Sequence, residues 1–403
     1  MPVMNGVEGD SRVIKTAKSL ISNGYKVLVV GYTASLQNNG GYFSRNDLGF
    51  PCILISGFSA KGRFSETKNI FYARQLQLKF YVHELLNLCV LFKAKLLYTH
   101  DMSLIKAGAL IKKFTNIKWV HDLHEWVKGL SNIDKDTQAF SIMEEEYGIR
   151  GPDHLFTVSD SISKIYKEDY KLKQPPTVIY NAPYKLTKSG NKTLRDELNL
   201  NRKELLAVYV GNVKPARGVI KFIPCLQKFE NLHIALVTNN KGPYIEEIKA
   251  LAREMNAENR LHIKPYVPVD KLPHYISTAS FGFHTMPRYG NGDVALPNKL
   301  FEYIQSGIPV AVSDATDMKK FVKKNKCGVC FSDDEVSLFE SISNIIDNLN
   351  IYRPTPELRN RYNWENEEKK IIAVVNQFIE SKPSKSINFA REEKKIGVLH
   401  GLT

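Results

Sequence analysis

The chain contains few cysteines and lacks any long apolar run. Only five cysteines occur in 403 residues. Such a small odd number builds no disulfide framework and is typical of a reducing compartment. No apolar run approaches the ~20 residues that a membrane-spanning helix needs, and the N-terminus lacks the basic and apolar pattern of a signal sequence. We therefore expect a cytoplasmic protein that is soluble, or peripheral on the inner face of the membrane.

Acidic residues are also relatively scarce. The chain has 42 Asp and Glu against 56 Lys and Arg, a formal net charge of +14, which favours anionic partners. Sequence-specific nucleic-acid binding is not expected, because the basic residues are dispersed and no recognition motif occurs. Lys106, Lys112, Lys113 and Lys118 cluster and could bind an anionic membrane surface. An ordinary solvated basic surface is the alternative reading.

Strand-length apolar runs alternate with helix-length amphipathic segments, the pattern of parallel sheets covered by helices on both faces. The sequence therefore predicts an α/β protein, and its length allows two domains. Strands are predicted at 25–31, 52–56, 96–99, 119–122, 155–158, 177–180, 205–210, 232–237, 261–263, 281–284, 309–312 and 329–330. Only residues 1–4 precede the first turn, so either the first strand is short or the chain has lost its native beginning.

A polar stretch at 185–203 is predicted to separate the two domains. We expect an N-terminal domain over 1–184, a C-terminal domain over 185–363, a long final helix over 364–381 and a charged tail over 382–403.

The segment 296–314 carries the most information about function. Pro297 suits a first helical turn, and Gly307 stops the helix before a buried strand. Asn298, Lys299 and Glu302 share the face opposite the apolar one. A helix start presents unpaired amides to an anion, and a carboxylate one turn later can accept hydrogen bonds from two neighbouring hydroxyls. This combination predicts a site for the phosphates and ribose of a nucleotide.

A second candidate site follows the strand 205–210. Lys214 and Arg217 lie in the loop after Gly211, where cations would meet a diphosphate. Ordinary solvated basic residues are the alternative, but the neighbouring Gly211 and Gly218 favour a functional Arg217.

A third candidate is the strand end at His124 and Glu125, since open α/β sheets bind ligands at the carboxyl ends of their strands. A metal site built from His121, Asp122, His124 and Glu125 is disfavoured, because alternate residues of an extended chain point to opposite faces. A polar contact to a sugar or acceptor hydroxyl is the functional hypothesis, and a buried structural histidine is the alternative.

Two loops add weaker signals. Gly6 and Gly9 lie in the first strand-to-helix turn, where backbone amides could approach a ligand, although a tight turn with a helix cap explains them equally well. Asp293 follows a flexible stretch at 290–292. It either contacts sugar hydroxyls or stabilises a turn.

Together these motifs resemble the GT-B glycosyltransferases of the family-4 type, also described as glycosyl transferases group 1. The resemblance spans most of the chain and is most specific at 297–303 and 306–310. It also rests on residues 9–13, 19–20, 24–27, 122–125, 158–160, 181–183, 209–211 and 217–218.

The resemblance implies two Rossmann-like domains that face each other across a cleft, with the nucleotide on the C-terminal domain and the acceptor on the N-terminal one. It also implies that the final helix crosses back to the N-terminal domain. Glu302 would bind the ribose hydroxyls, Arg217 would be one of two diphosphate cations, and His124 would lie near the transferred sugar or acceptor. Two positions depart from the family pattern: Val294 stands where an acidic residue is usual, and Asn212 where the second cation is common.

The resulting hypothesis is a retaining glycosyltransferase that moves a sugar from a nucleoside diphosphate sugar to a hydroxyl of a glycan or lipid-linked glycan, in cell-surface polysaccharide or glycoconjugate synthesis. We expect no cofactor and no essential metal. The alternatives are a nucleotide-sugar 2-epimerase and a non-catalytic nucleotide- or glycan-binding protein. The catalytic candidates are His124 and Glu125, and the donor-binding candidates are Gly9, Gly211, Asn212, Lys214, Arg217, Asp293, Pro297, Asn298, Lys299 and Glu302.

Overall fold

The computed structural model describes residues 1–34, 41–45, 47–57, 70–131, 133–186 and 192–379; the predicted tail at 382–403 lies outside these ranges. The chain forms two compact units. Among the described residues, unit 1 comprises those of Met1–Ile179 together with 368–379, and unit 2 comprises those of Tyr180–Glu367.

Unit 1 alternates strands and helices along most of its length. Its elements are α1 (Ser11–Ser22), β1 (Val29–Ala34), β2 (Gly41–Arg45), β3 (Cys52–Gly57), α2 (Ile70–Leu91), β4 (Leu96–His100), α3 (Ile105–Thr115), β5 (Lys118–Leu123), α4 (Lys135–Gly148), β6 (His154–Thr157), α5 (Asp160–Asp169) and β7 (Thr177–Val178).

The described strands of unit 1 form two sheets, one ordered β1-β3-β2 and one ordered β4-β5-β6-β7. The second sheet is parallel throughout. In the first, β1 pairs with β3 in parallel and β2 pairs with β3 antiparallel. The prediction missed β2, because its short sequence GYFSR has little apolar alternation.

The N-terminal residues lie parallel to β1 without forming a full strand. Pro2 bridges to Val30. The amide of Val3 donates to the carbonyl of Val30 at 2.9 Å, and the amide of Tyr32 donates to the carbonyl of Asn5 at 2.9 Å. The segment that precedes the first turn is therefore short but hydrogen-bonded to β1.

Unit 2 repeats the alternation. Its elements are α6 (Leu194–Glu197), β8 (Leu205–Val210), α7 (Cys225–Lys228), β9 (Leu232–Val237), α8 (Pro243–Glu254), β10 (Leu261–Lys264), α9 (Leu272–Ile276), β11 (Phe281–His284), α10 (Asn291–Val294), α11 (Asn298–Ser306), β12 (Val310–Ser313), α12 (Thr316–Asn325), β13 (Gly328–Phe331), α13 (Glu335–Asp347), α14 (Leu349–Tyr352), α15 (Pro356–Arg361) and the start of α16 (Trp364–Val375). Helix α16 runs on into unit 1.

The six described strands of unit 2 form one parallel sheet ordered β10-β9-β8-β11-β12-β13. Two apolar clusters form the core, and the strands contribute alternate residues to each: Val208 and Val210 belong to one, Ala207 and Tyr209 to the other. The α/β prediction is confirmed, and each predicted strand of this unit begins and ends within one residue of the observed one.

Among the described residues, no helix is both long and apolar enough to cross a bilayer. All five cysteines are free thiols.

Candidate functional site

The site in unit 2 forms at the carboxyl ends of β8 and β11, where helix α11 packs against the sheet. Tyr303 of α11 fixes this position: its hydroxyl donates to the carbonyl of Phe283 at 3.1 Å and accepts from the amide of Val210 at 3.2 Å. Gly282 makes room for the ring, since a Cβ there would lie 2.5 Å from Tyr303. Gly307 ends the helix in the left-handed conformation at φ +73°, as the sequence predicts.

Glu302 and Lys299 project from α11 beside the β8 loop. Glu302 is only 5% exposed, and no hydrogen bond to its Oε2 occurs in the described part of the chain. Lys299 Nζ lies 3.4 Å from that oxygen. A Cβ on Gly211 would lie 2.9 Å from Lys299 Cε. Lys299 also donates to Glu302 Oε1 at 3.5 Å. The structure therefore brings Gly211, Lys299 and Glu302 together, with the carboxylate paired to a cation and its Oε2 without a hydrogen bond among the described residues.

The start of α11 is likewise open. Pro297 is the N-cap residue rather than the first helical residue, and it makes no side-chain capping hydrogen bond. The first amides of a helix have no partner within the helix. Asn298 and Lys299 therefore present backbone donors and positive helix dipole at the edge where Glu302 lies.

Arg217 and Lys214 lie in the loop after β8. Arg217 ends a short 3-10 turn at Pro215–Arg217, and Lys214 immediately precedes that turn. Arg217 Nη1 approaches the sulfur of Met286, in the β11 loop, at 2.6 Å. Lys214 is exposed. The side-chain oxygen of Asn212 accepts from the Tyr266 hydroxyl at 3.2 Å.

Asp293 does not point at these groups. Its two carboxylate oxygens accept from the amide and the hydroxyl of Thr316, each at 2.8 Å. Thr316 is the first residue of α12, whose N-cap Ala315 has no side-chain acceptor. The carboxylate therefore caps α12 from outside, which is the turn-stabilising alternative rather than a sugar contact.

His284 was missed by the sequence analysis. It is the last residue of β11, only 4% exposed, and neither ring nitrogen has a hydrogen-bond partner among the described residues. Burial, and after it the positive charges of Arg217 and Lys299, lower its pKa to about 3. The rule that singled out His124, a polar residue at the end of a buried strand, would have found His284 as well.

A cavity of about 620 Å³ opens beside Arg217 at the same edge of the sheet. Its lining residues come from the loops after β8, β11, β12 and β13, and include Gly218, Thr285, Arg288 and Asp314. The hydroxyl of Thr285 is buried and has no hydrogen-bond partner in the described ranges.

Unit 1 has a second polar site, at the carboxyl ends of β4 and β5. Arg12, in the first turn of α1, donates from Nε to Asp122 Oδ2 at 2.7 Å and from Nη2 to Asp122 Oδ1 at 2.8 Å. Its Nη1 donates to the carbonyl of Ile179 at 2.6 Å. Both side chains are almost fully buried. Arg12 lies within the motif 9–13, but nothing in the sequence alone indicated its partner.

His124 completes this site together with Asp101. Its Nδ1 lies 3.0 Å from Asp101 Oδ1, and its Nε2 lies 3.7 Å from Asp122 Oδ2. Burial by itself would lower the pKa of His124, but Asp101 and Asp122 outweigh it and raise the pKa to about 10. Although burial would raise the pKa of Asp122, Arg12 and His124 hold it well below its usual range. His124 is therefore a cation at neutral pH.

The nearby His100 makes the cluster resemble a metal site. Ligand atoms of His100, Asp122 and His124 lie within 4.8 Å of one another, and His100 Nδ1 is 3.3 Å from His124 Nε2. Burial lowers the pKa of His100 and favours its neutral form. Arg12 and His124 already balance the charges of Asp101 and Asp122, so a dication would bring uncompensated positive charge. We therefore interpret the cluster as an ion network.

The other candidates of unit 1 make different contacts. His121 Nδ1 contacts Thr99 Oγ1 at 2.7 Å inside the sheet, and burial lowers its pKa to about 3. Glu125 is exposed. Gly9 has φ +82°, and a Cβ there would meet nothing within 4 Å.

Three of the four lysines predicted to form an anionic-surface site are paired. Lys106 lies 3.4 Å from Glu144, and both Lys112 and Lys118 approach Asp153, at 2.8 and 3.5 Å. These contacts reduce the positive charge that the cluster presents to a partner.

Comparison with known proteins places these sites in a family context. Residues 190–369 match the family model described as glycosyl transferases group 1. No curated protein matches significantly.

Among solved structures, sucrose-phosphate synthase from Thermosynechococcus elongatus aligns with a TM-score of 0.69 and 16% identity, over 91% of this chain and 92% of that chain. Anabaena HepE in complex with UDP and glucose aligns with a TM-score of 0.67 and 14% identity, over 93% of this chain and 98% of that chain. The E. coli trehalose-6-phosphate protein bound with UDP-2-fluoro glucose aligns with a TM-score of 0.69 and 9% identity, over 94% of this chain and 99% of that chain. The predicted GT-B fold and the predicted resemblance to glycosyl transferases group 1 are confirmed, and the family-4 type stays a prediction.

Proposed function

We propose that this chain, which matches glycosyl transferases group 1 over residues 190–369 and has the GT-B fold, transfers a sugar from a nucleoside diphosphate sugar to a hydroxyl acceptor with retention of anomeric configuration. The observation that carries the proposal is the buried carboxylate of Glu302, whose Oε2 has no hydrogen-bond partner in the described residues and which lies one turn inside an uncapped helix start. UDP in the structures of similar proteins favours UDP-sugars as the first donors to test.

Glu302 is suited to bind the ribose of the donor. An ionised carboxylate has two acceptor oxygens and can receive both vicinal hydroxyls at once. Its side chain is held by burial in α11, and Tyr303 fixes that helix against β8 and β11. A preorganised acceptor of this kind loses little entropy when the ligand binds.

The diphosphate is proposed to bind between the β8 loop and the start of α11. Arg217 and Lys299 supply positive charge there, and the first amides of α11 add hydrogen-bond donors. Lys299 lies against Gly211, next to Asn212, where the family pattern usually has its second cation. Lys299 therefore takes the role that the sequence analysis gave to Lys214, which is exposed at the outer end of the loop.

These groups also account for catalysis. As the glycosidic bond to the diphosphate breaks, negative charge grows on the leaving group. Fixed cations and amides therefore stabilise the transition state more than the ground state. The proposed mechanism uses no enzyme nucleophile and no cofactor or essential metal, because protein cations and amides supply the electrophilic stabilisation.

In unit 1, His124 is proposed to hold an oxygen of the acceptor or of the transferred sugar. With its pKa raised to about 10 by Asp101 and Asp122, the imidazolium has donors but no lone pair to take a proton. Because Nδ1 faces Asp101 at 3.0 Å, the donor to a hydroxyl or phosphate oxygen is the Nε2–H, whose 3.3 Å contact with His100 the ligand would replace. His124 is therefore proposed to orient that oxygen rather than to serve as a general base. Glu125 is exposed beside it and remains the second catalytic candidate.

A glycan or lipid-linked acceptor, and a role in polysaccharide or glycoconjugate synthesis, remain predictions from the family resemblance. So does attachment to an anionic membrane, with the pairing of Lys106, Lys112 and Lys118 as a contrary observation.

The test is calorimetric binding of UDP, GDP and ADP and of the matching nucleosides. We expect Glu302→Gln to lower the affinities for the nucleoside and for its diphosphate alike, by roughly 10- to 100-fold. This is the scale of hydrogen bonds to a charged group. Lys299→Met should weaken binding of the diphosphate more than binding of the nucleoside, because Lys299 also pairs with the ribose-binding Glu302. Lys249→Met, which removes a partly exposed lysine of α8, is the matched control. Unchanged binding in Glu302→Gln and Lys299→Met would exclude the assigned donor site.

Transfer is then measured with the donor that binds. Product formation from a panel of hydroxyl acceptors supports the transferase, and proton NMR of the first-formed product reports whether the anomeric configuration is retained. Conversion of the donor to its epimer without an acceptor would favour the epimerase alternative instead.

A further inference from the structure

His284, the last residue of β11, has unsatisfied hydrogen-bonding groups at the edge of the sheet where the donor site is proposed. The side chain is 4% exposed, and both ring nitrogens are buried without a hydrogen-bond partner in the described ranges. A neutral imidazole carries one N–H donor and one acceptor nitrogen. Leaving both unused in the interior destabilises the fold, and native proteins rarely keep such a group without a ligand or a functional role for it.

The orientation of the ring is fixed by its neighbours. It stacks on Tyr209 with the ring centroids 5.7 Å apart and the planes inclined by 10°. Tyr209 lies near the end of β8, and its hydroxyl donates to the carbonyl of Asn212 at 3.0 Å. The ring of His284 is therefore held where the β8 loop leaves the sheet.

The charges that reach the ring are positive. Arg217 and Lys299 lie on opposite loops of this edge, one after β8 and one at the start of α11, and both disfavour a proton on His284. Because burial has the same effect, the ring is neutral and can donate one hydrogen bond without adding a third positive charge to the apo site. A multiply charged oxyanion between the two cations would meet that donor.

We propose that His284 donates its ring N–H to an oxygen of the donor's diphosphate, as a third diphosphate-binding side chain beside Arg217 and Lys299. The inference rests on the proposed donor site of unit 2. It assigns His284 to the diphosphate rather than to the ribose, because Glu302 supplies the ribose contact whereas His284 shares its surroundings with the two cations.

The assignment explains why the chain keeps a buried polar ring where an apolar one would pack without unsatisfied groups.

The experiment compares the parent with His284→Phe and His284→Gln by calorimetry, using UDP, GDP and ADP and the corresponding nucleosides. His284→Phe keeps a ring on Tyr209 but removes both nitrogens. We expect it to lower the affinity for the diphosphate about 10-fold or more, as for the loss of one hydrogen bond to a charged acceptor. The affinity for the nucleoside should change less than about twofold. His284→Gln retains an N–H near the ring position and should recover part of the loss.

Lys249→Met, which removes a partly exposed lysine of α8, is the control and should leave the affinities for diphosphate and nucleoside unchanged. Thermal melting of each variant reports folding; if His284→Phe does not fold, His284→Leu replaces it in the same comparison. A diphosphate affinity equal to the parent's, or an equal loss for diphosphate and nucleoside, would overturn the role of His284. A parent protein that binds none of the diphosphates would overturn the donor site itself, and the inference with it.

Discussion

Arg12 and Asp122 form a buried, two-pronged ion pair that joins the start of α1 to the end of β5, with Nε 2.7 Å from Oδ2 and Nη2 2.8 Å from Oδ1. Burying two charges costs solvation, which the pair recovers only through its geometry and the further hydrogen bond to Ile179. Asp122 also faces His124. The pair therefore both connects two elements and fixes an anion under the cationic histidine.

Removing one partner should be strongly destabilising. We expect Arg12→Met to lower the free energy of unfolding by about 3–5 kcal/mol, the range for breaking a buried ion pair and leaving an uncompensated charge. Urea denaturation followed by circular dichroism measures the change. As a control, Lys249→Ala breaks the solvent-exposed pair with Glu246 and should change stability by less than about 1 kcal/mol. A similarly small loss for Arg12→Met would contradict this view of the pair.

His124 should titrate far above an ordinary histidine. NMR of the protein labelled with ¹³C at histidine is expected to show a midpoint near pH 10, because Asp101 and Asp122 raise the pKa to about 10. Asp101→Asn should lower that midpoint, and His124→Gln identifies the resonance. A midpoint near 6.5, the ordinary pKa of histidine, would refute the ion network.

The same pKa predicts a pH dependence of stability with a definite sign. Since the folded-state pKa lies above the unfolded value of 6.5, the contribution of His124 is fully present below pH 6.5 and is lost as the pH rises through about 10. Asp101→Asn should therefore be less stable than the parent near neutral pH, and the difference should narrow at higher pH. A difference that widened with rising pH would contradict the assignment.

His284 should give stability the opposite dependence on pH. Its pKa is lowered to about 3, first by burial and then by Arg217 and Lys299, so its contribution is present above pH 6.5 and is lost as the pH falls. Linkage gives a loss of about 2 kcal/mol between pH 6.5 and about 4.5. The measured free energy of unfolding of His284→Phe should fall less steeply than the parent's over this interval. Parallel curves would show that His284 does not cause the dependence.

Gly211 should be essential for the position of Lys299. Gly211→Ala forces a side chain into a backbone at φ +123° and places a Cβ 2.9 Å from Lys299 Cε. We expect a loss of about 1–3 kcal/mol from backbone strain together with weakened diphosphate binding. Gly242→Ala is the matched control, because φ there is +107° and nothing lies within 4 Å of the added Cβ. It should lose comparable stability but bind the diphosphate like the parent, as calorimetry and thermal melting can show.

Asp293 is expected to contribute to the stability of the fold but not to binding of the donor. Asp293→Ala removes both acceptors of Thr316 and should cost about 1–2 kcal/mol, the range for losing a helix cap. Calorimetric titration should give unchanged affinity for the diphosphate and for the diphosphate sugar. Selective loss of sugar-nucleotide affinity would restore the role that the sequence analysis gave to this residue.

Much of unit 2 follows from short-range patterns. The apolar run 205–210 is observed as β8, and the spacing of apolar residues before Gly307 predicts a helix that the structure has at Asn298–Ser306. Asn298, Lys299 and Glu302 share one face because residues three or four apart are neighbours on a helix. Strand β2 was not predictable in the same way, since its polar sequence becomes a strand only by pairing with β3.

The sequence by itself determined the alternation of strands and helices, the uncapped helix start with its carboxylate one turn later, and the basic loop after β8, because each depends on residues only a few positions apart. Only the tertiary structure decided that Arg12 binds Asp122 across 110 positions, that Asp293 caps α12, and that His284 is buried with neither ring nitrogen paired among the described residues. Those outcomes depend on which elements pack together, and the hydrogen bonds and desolvation that follow act between residues that are distant in the chain.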